Sequence, residues 1–149
     1  MIERHEQNLT GGCQCGAVRY EVHAAVEMIH YCHCRMCQRA VGNLFGVYAG
    51  APRDCLVWVR GEPRLFQSSS MAARGFCAEC GTPLSFAYHD SLFTWLTVGS
   101  LDHPERVIPE RHLGIESQLP WLSLADDLPR DCTPDDPRYA RMTIHQRAS

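Results

Sequence analysis

GGCQCGAVRYEV at residues 11–22 and RGFCAECGTPLSF at residues 74–86 decide the fold. Each carries a pair of cysteines, Cys13 with Cys15 and Cys77 with Cys80, beside residues that favour strands and tight turns. Side chains two apart on an extended segment share a face, so Cys13 and Cys15 point the same way yet cannot bond each other without strain. CAECG at 77–81 reads as a knuckle whose glycine supplies the turn that brings backbone amides toward the sulfurs. Two such pairs make a closed four-sulfur site that suits zinc and clamps the start of the domain to its middle. A site with no vacancy contributes folding energy rather than catalysis.

Nine cysteines is an odd total, and MIERHEQNLTGG at the N-terminus has neither the apolar core nor the cleavage site of a secretory signal, so a disulfide framework explains them poorly. Working outward, CHCRMCQRAVG at 32–42 holds three more, Cys32, Cys34 and Cys37. Three ligands with an open fourth position is the arrangement of a catalytic zinc. The competing reading fills that position from Cys55, Cys132, His33 or His112 and makes the second site structural as well. An iron–sulfur cluster is the runner-up for the metal. Thioredoxin-like redox chemistry, the other use of a C-x-x-C, lacks its βαβ surroundings.

The chain has 149 residues, 45% of them hydrophobic and 21% charged, which fits one globular domain. No apolar run reaches the roughly 18 residues of a membrane-spanning helix, and a cytoplasmic protein is expected. The net charge of −3 argues against bulk binding to nucleic acid. Residues 35–74 carry six arginines against two acids, and residues 102–136 carry nine acids against three arginines. This asymmetry reads either as two solvated faces or as a positive rim for a small anionic ligand.

Short apolar runs at 16–22, 26–31, 44–49, 55–60, 64–68, 72–77, 84–88 and 92–98, punctuated by Gly, Pro, Asp and Ser, predict a mainly β domain of short antiparallel strands. The first two runs read as a hairpin, and residues 35–41 as a short helix ending near Gly42 with Cys37 in its first turn. A last strand is expected within 105–115, interrupted at Pro109, and a helical turn at 121–128. Phe45, Trp58, Phe86, Phe93 and Trp95 are expected in the core. Trp121 is expected to pack, with covering a pocket as its alternative. The expected organisation is an extension over 1–10, a zinc domain over 11–130 and an extended, poorly packed tail over 131–149.

With these motifs assembled, the sequence resembles the glutathione-dependent formaldehyde-activating enzyme family, whose domain also occurs in centromere protein V. Beyond the three cysteine segments, TVGSLDHPE at 97–105, PERHLGIES at 109–117 and PWLSLADDLPR at 120–130 carry the resemblance. It implies a β-rich, tent-like fold and two zinc ions per chain, a structural one on Cys13, Cys15, Cys77 and Cys80 and a reacting one on Cys32, Cys34 and Cys37. It implies condensation of glutathione with formaldehyde, classed as a carbon–sulfur lyase reaction, and gives Cys55 and Cys132 no role.

A three-thiolate zinc is soft and prefers a thiol as its fourth ligand, which suits attack of a substrate sulfur on an aldehyde. His112, His33 and His103 are the candidates to protonate the new alkoxide. Arg35, Arg39 and Arg74 are the candidates to meet the carboxylates of glutathione. Two other readings stand beside this one: a non-catalytic zinc module that binds a protein or nucleic acid, and an enzyme acting on another thiol adduct.

Overall fold

A computed structural model describes residues 8–144. The expected N-terminal extension falls largely outside that range, as do residues 145–149 of the expected tail. Among the described residues, eleven strands form two sheets and one α-helix stands outside them. The smaller has the order β1 (Leu9–Gly12), β2 (Arg19–Val22), β5 (Leu56–Arg60), all antiparallel.

The larger sheet runs outward from β3 (Glu27–Cys32), which pairs with β4 (Gly46–Pro52), then β9 (Phe93–Thr97), β8 (Pro83–Tyr88), β7 (Ala72–Phe76) and β6 (Arg64–Gln67). On its other edge β3 carries β10 (Arg111–Leu113) and β11 (Arg130–Asp131), both parallel additions. The short helix α1 (Arg35–Val41) follows β3 and ends on Gly42 in the left-handed conformation, as the sequence predicts.

Four expectations fail. β2 and β3 form no hairpin; β2 lies between β1 and β5, while β3 enters the other sheet. The physical reason is the His-Ala-Ala-Val link at 23–26, which lacks the Asn-Gly or Gly-X chemistry of a tight turn and carries the chain between sheets instead. Residues 105–115 supply only three strand residues, and no helix forms at 121–128. Trp121 neither packs nor covers a pocket, being 70% exposed.

The main core lies where the small sheet meets the large one, with Tyr20, Val22, Leu84 and Leu96 completely buried. The Tyr20 hydroxyl meets Ser100 Oγ at 2.7 Å, and Ser100 Oγ donates to Thr97 O, so the buried phenol is satisfied. A second cluster gathers Cys34, Cys37, Tyr48 and Trp95 with Phe86, Tyr88 and Phe93 at its border. Strand alternation separates the two, because Ala51 and Leu96 join the first while their strand neighbours Tyr48 and Trp95 join the second.

Candidate metal centres and cavity

Cys13, Cys15, Cys77 and Cys80 converge as a closed group, their sulfurs all within 4.8 Å of one another. The Cys13–Cys15 and Cys15–Cys77 sulfurs are 3.6 and 3.8 Å apart. A tetrahedron with Zn–S bonds of ~2.3 Å has edges of about 3.8 Å, whereas a disulfide needs about 2.05 Å, so the spacing fits a bound ion and not a bridge. Gly16 and Gly81, both at positive φ, make the knuckle turns. Val18 N–H donates to Cys13 Sγ at 3.2 Å. Gln14 N–H donates to Thr82 Oγ1, whose own hydrogen is thereby left for Cys80 Sγ at 3.2 Å. That hydroxyl, with its backbone neighbours, holds the Cys80 thiol down to about 5.

Cys32, Cys34 and Cys37 form the second group, also within 4.8 Å. Cys32 ends β3, Cys34 caps α1 by accepting from Cys37 N–H at 3.4 Å, and Cys37 lies in the first turn. The Cys32 and Cys34 sulfurs are 3.4 Å apart. Hydrogen bonds from those two thiols, with the Arg74 guanidinium behind them, hold the Cys37 thiol well below its ordinary range, while Cys34 and Cys37 push Cys32 well above it. Three crowded sulfurs sharing negative charge are a donor set that fits a soft cation. Among the described residues no fourth His, Cys, Asp or Glu joins them. His33 turns away from them, and Cys55 and His112 do not line the cavity in front of them.

That cavity, about 570 Å³, opens directly on the trio. Register explains its lining. Arg74 opposes Phe86, Phe86 opposes Trp95, and Trp95 opposes Gly50 across successive strands, so these side chains form one row on one face. His30 opposes both Tyr48 and Arg111, and Cys32 opposes Leu113, extending the face to the sheet edge. Met28, also in the lining, has φ of 52°, a strained value for a residue with a side chain.

The same alternation removes His112. Arg111 and Leu113 face the cavity, so His112 between them points to the opposite side, stacked on Tyr31 at 4.6 Å. His33, between Cys32 and Cys34, also points back and bonds His112. His103 is an exposed partner of Glu105. Of the arginines singled out by sequence, only Arg74 reaches the cavity, donating to Tyr48 Oη at 3.1 Å and Cys37 Sγ at 3.5 Å. Arg35 hydrogen-bonds Gln38 Oε1, and neither Arg35 nor Arg39 lines the cavity.

Sequence reasoning missed His30, Arg111 and Arg138, all in the lining, and took Cys132 for an ordinary thiol although it lines the cavity too. His30 stands two residues before Cys32 on a strand, and that period of two was the available signal. Its Nδ1 meets the Met28 carbonyl at 2.8 Å, which fixes the hydrogen there and leaves Nε2 as an acceptor. The segment after Arg130, expected to be poorly packed, forms two 3₁₀ turns, lays the Arg138 guanidinium over the Tyr88 ring and supplies one wall of the cavity.

A Schizosaccharomyces pombe (strain 972) protein named as an uncharacterized lyase is 30% identical over 78 residues, 52% of this chain. The match spans 56% of that relative, so the chain covers about half its length. A crystal structure of a Rhodobacter sphaeroides protein shares the fold, with a TM-score of 0.51 at 23% identity over 81% of this chain and 98% of that one. The family of glutathione-dependent formaldehyde-activating enzymes matches residues 8–117, a span that contains the four-sulfur clamp, the trio and Arg74. The chain belongs to the glutathione-dependent formaldehyde-activating enzyme family.

Proposed function

We propose that the protein is a zinc-dependent enzyme of the carbon–sulfur lyase type that joins a thiol, glutathione or a related one, to a small aldehyde and catalyses the reverse cleavage. The observation that carries this reading is the trio of cysteines with no fourth protein ligand among the described residues and a cavity in front of it. Zinc held by Cys32, Cys34 and Cys37 would supply a soft centre that favours the deprotonated form of an incoming thiol. The reading draws further support from the family and from the lyase name of the yeast relative.

The chain's own residues divide the remaining work. In the forward direction the sulfur adds to the carbonyl carbon, the C–S bond forms, and the π pair moves to oxygen. The thiol proton ends on that oxygen, giving a hemithioacetal with no other reactant. His30 Nε2 is the acceptor in the lining that can hold the proton between the two positions. The Arg74 guanidinium and the Tyr48 hydroxyl, which accepts from Arg74 and directs its own hydrogen to Cys37, are the donors placed at the sulfurs to meet the developing oxyanion. Walls of Phe86, Tyr88 and Trp95 exclude water and hold the two reactants together. A saturated, purely structural second site would need a fourth ligand, and none converges on the trio among the described residues.

The test is to load the protein with cobalt and titrate it with glutathione and with simple thiols. A thiol that enters the open position shifts the absorption of the second site. Cys34→Ser and Cys37→Ser should abolish that shift while the protein stays folded. Failure of every thiol to change the spectrum would overturn the proposal.

A further inference from the structure

The chain after β11 crosses the cavity from one edge of the large sheet toward the other. It starts beside β10, where Thr133 N–H donates to Glu116 Oε2 at 3.0 Å. It ends at the β6–β7 turn, where Ser70 N–H donates to Thr143 O at 2.7 Å and Thr143 N–H donates to Ser70 Oγ at 2.8 Å. Between these anchors Asp131, Asp135, Asp136, Arg138 and Met142 line the cavity. This strap lies beyond residues 8–117, so nothing in the family match assigns it a role.

Two arms lead from the cysteine trio to charged groups on the rim. Along one, the Tyr88 hydroxyl is within electrostatic reach of Cys32 and Cys37 and also of Asp136 and Arg138, and the Arg138 guanidinium stacks 4.4 Å above its ring. Along the other, His30 is within reach of Cys37 and also of Arg111 and Glu110, and Arg111 is its neighbour across the strand pair. Each arm runs from the sulfurs past one ring to one arginine.

Both arginines keep donors to spare. Arg111 gives only its Nε to Asp131, at 3.4 Å, and its two Nη groups have no partner among the described residues. Arg138 Nη1 lies 3.6 Å from Asp136 Oδ2, beyond hydrogen-bond distance, so its fork is also free to donate. With 48% and 40% of their side chains exposed, both are within reach of a ligand. The aspartate beside each guanidinium holds it in place, which lowers the entropy cost of gripping a carboxylate with two bonds. The acids of the lining are mostly committed to this frame. Asp131 and Asp136 face the arginines, Asp135 accepts from Cys132 N–H at 3.3 Å, and Glu110 is left to meet an ammonium group.

We infer that the thiol taken here sits in the middle of a short peptide, with one terminal carboxylate gripped by Arg111 and the other by Arg138, and that the strap sets this preference. The inference rests on the thiol-capturing reading of the trio given above. A thiol at the end of a chain fills one arm and leaves the other arginine unmet. A cysteine flanked on both sides sends its flanks in opposite directions and fills both. Glutathione belongs to that class, and its recognition moves from Arg35 and Arg39 to residues on β10 and the strap.

The test uses calorimetry on the zinc-loaded protein with three thiols. Glutathione has both carboxylates, its diethyl ester masks them on the same skeleton, and 2-mercaptoethanol has no arm. Each carboxylate should contribute about tenfold, so glutathione should bind on the order of a hundredfold more tightly than the diester. Arg138→Gln and Arg111→Gln should each weaken glutathione binding by about tenfold, and the double variant should bring it level with the diester. The weakening should be absent for 2-mercaptoethanol, with zinc content unchanged. A diester that binds as tightly as glutathione, or variants that leave its preference intact or weaken all three thiols alike, would overturn the inference while thiol capture stands. Binding of none of the three to the wild type would remove both.

Discussion

His33 Nε2 and His112 Nδ1 lie 2.8 Å apart, and neither ring has any exposure to solvent. His112 Nε2 in turn meets both oxygens of Asp126 at 3.0 and 3.1 Å. A carboxylate only accepts, so His112 carries its hydrogen on Nε2, accepts at Nδ1, and receives the hydrogen of His33 Nε2. The chain of three anchors the backbone between Cys32 and Cys34 from behind. His33 N–H donates to Leu113 O at 2.8 Å, and Gln38 Nε2 donates to His33 O at 2.7 Å. His112 is thus a positioning residue for the trio, not a group in the cavity.

Removing that support should cost stability. His112→Ala leaves His33 with two unmet ring nitrogens and opens a void beside Tyr31, so a loss of about 2–4 kcal/mol is expected. Asp126→Asn keeps an acceptor oxygen and should cost less. Urea denaturation of the metal-loaded protein checks this through the midpoint at unchanged slope. Wild-type stability with selective loss of activity in His112→Ala would mean that the histidine acts on substrate instead.

Gly114 touches the same loop. Its φ is 65°, and a Cβ there would lie 2.7 Å from Cys34 N and 2.9 Å from Cys34 Cβ. Neither atom can yield without moving a proposed ligand. Gly114→Ala should therefore lower the zinc content from two ions per chain toward one, sparing the four-sulfur site, at a cost of about 1–3 kcal/mol. Elemental analysis against protein concentration measures it, and two full equivalents would contradict the expectation.

How much of this was legible in the sequence depends on which period governed each residue. The Cys32–Cys34 pair was legible because i and i+2 share a face where the chain is extended, whereas Cys13 and Cys15, expected on an extended segment, converge instead through the turn that Gly16 N–H closes on Cys13 O. The short strands from β4 to β9 were legible from apolar runs between Gly and Pro. His112 was misplaced because its direction depends on the register of a three-residue strand added in parallel to β3, and spacing alone says nothing of that register. Arg35 and Arg39 carried the right charge but do not line the cavity, while Arg111 and Arg138 reach it through long-range pairing. The wall built by residues 131–142 was illegible for a further reason. Its prolines and charges read as tail, whereas the contacts that dock it are long-range ones, among them Arg138 with Tyr88, Asp131 with Arg111 and Thr133 N–H with Glu116.

Acid should reveal a separate fastening. Arg19 donates to Asp102 at 2.9 Å, and with the Thr10 hydroxyl it holds the Asp102 carboxyl down to about 2, against 3.8 ordinarily. The folded state thus favours the ionised form. The stabilisation is fully present above about pH 4 and is lost as pH falls through the range from 4 to 2. Both side chains are about a third exposed, with values of 30% and 35%, so solvent screening limits the contribution to about 1 kcal/mol or less. Asp102→Asn should lower stability slightly at pH 7 and remove that share of the decline below pH 4. Denaturant midpoints taken from pH 7 to pH 2.5 for both proteins supply the comparison.

The two cysteine groups should separate most clearly when one sulfur is removed from each. Cys77 is almost completely buried and belongs to the group that joins the β1–β2 link to the β7–β8 turn, so its site closes a long loop between the small sheet and the far half of the large one. Cys77→Ser or a strong chelator should lower the melting temperature severely, with several kcal/mol lost, because the ion's binding energy at a closed site is folding energy. Cys37 stands in a seven-residue helix beside the two other cysteines of its group, so its site constrains little chain that is not already fixed by local structure. Cys37→Ser should cost only about 1–2 kcal/mol while removing thiol binding. Scanning calorimetry of the two variants beside the wild type gives the order directly. An equal collapse of both would mean that the second group is structural and that the cavity in front of it has no reacting centre.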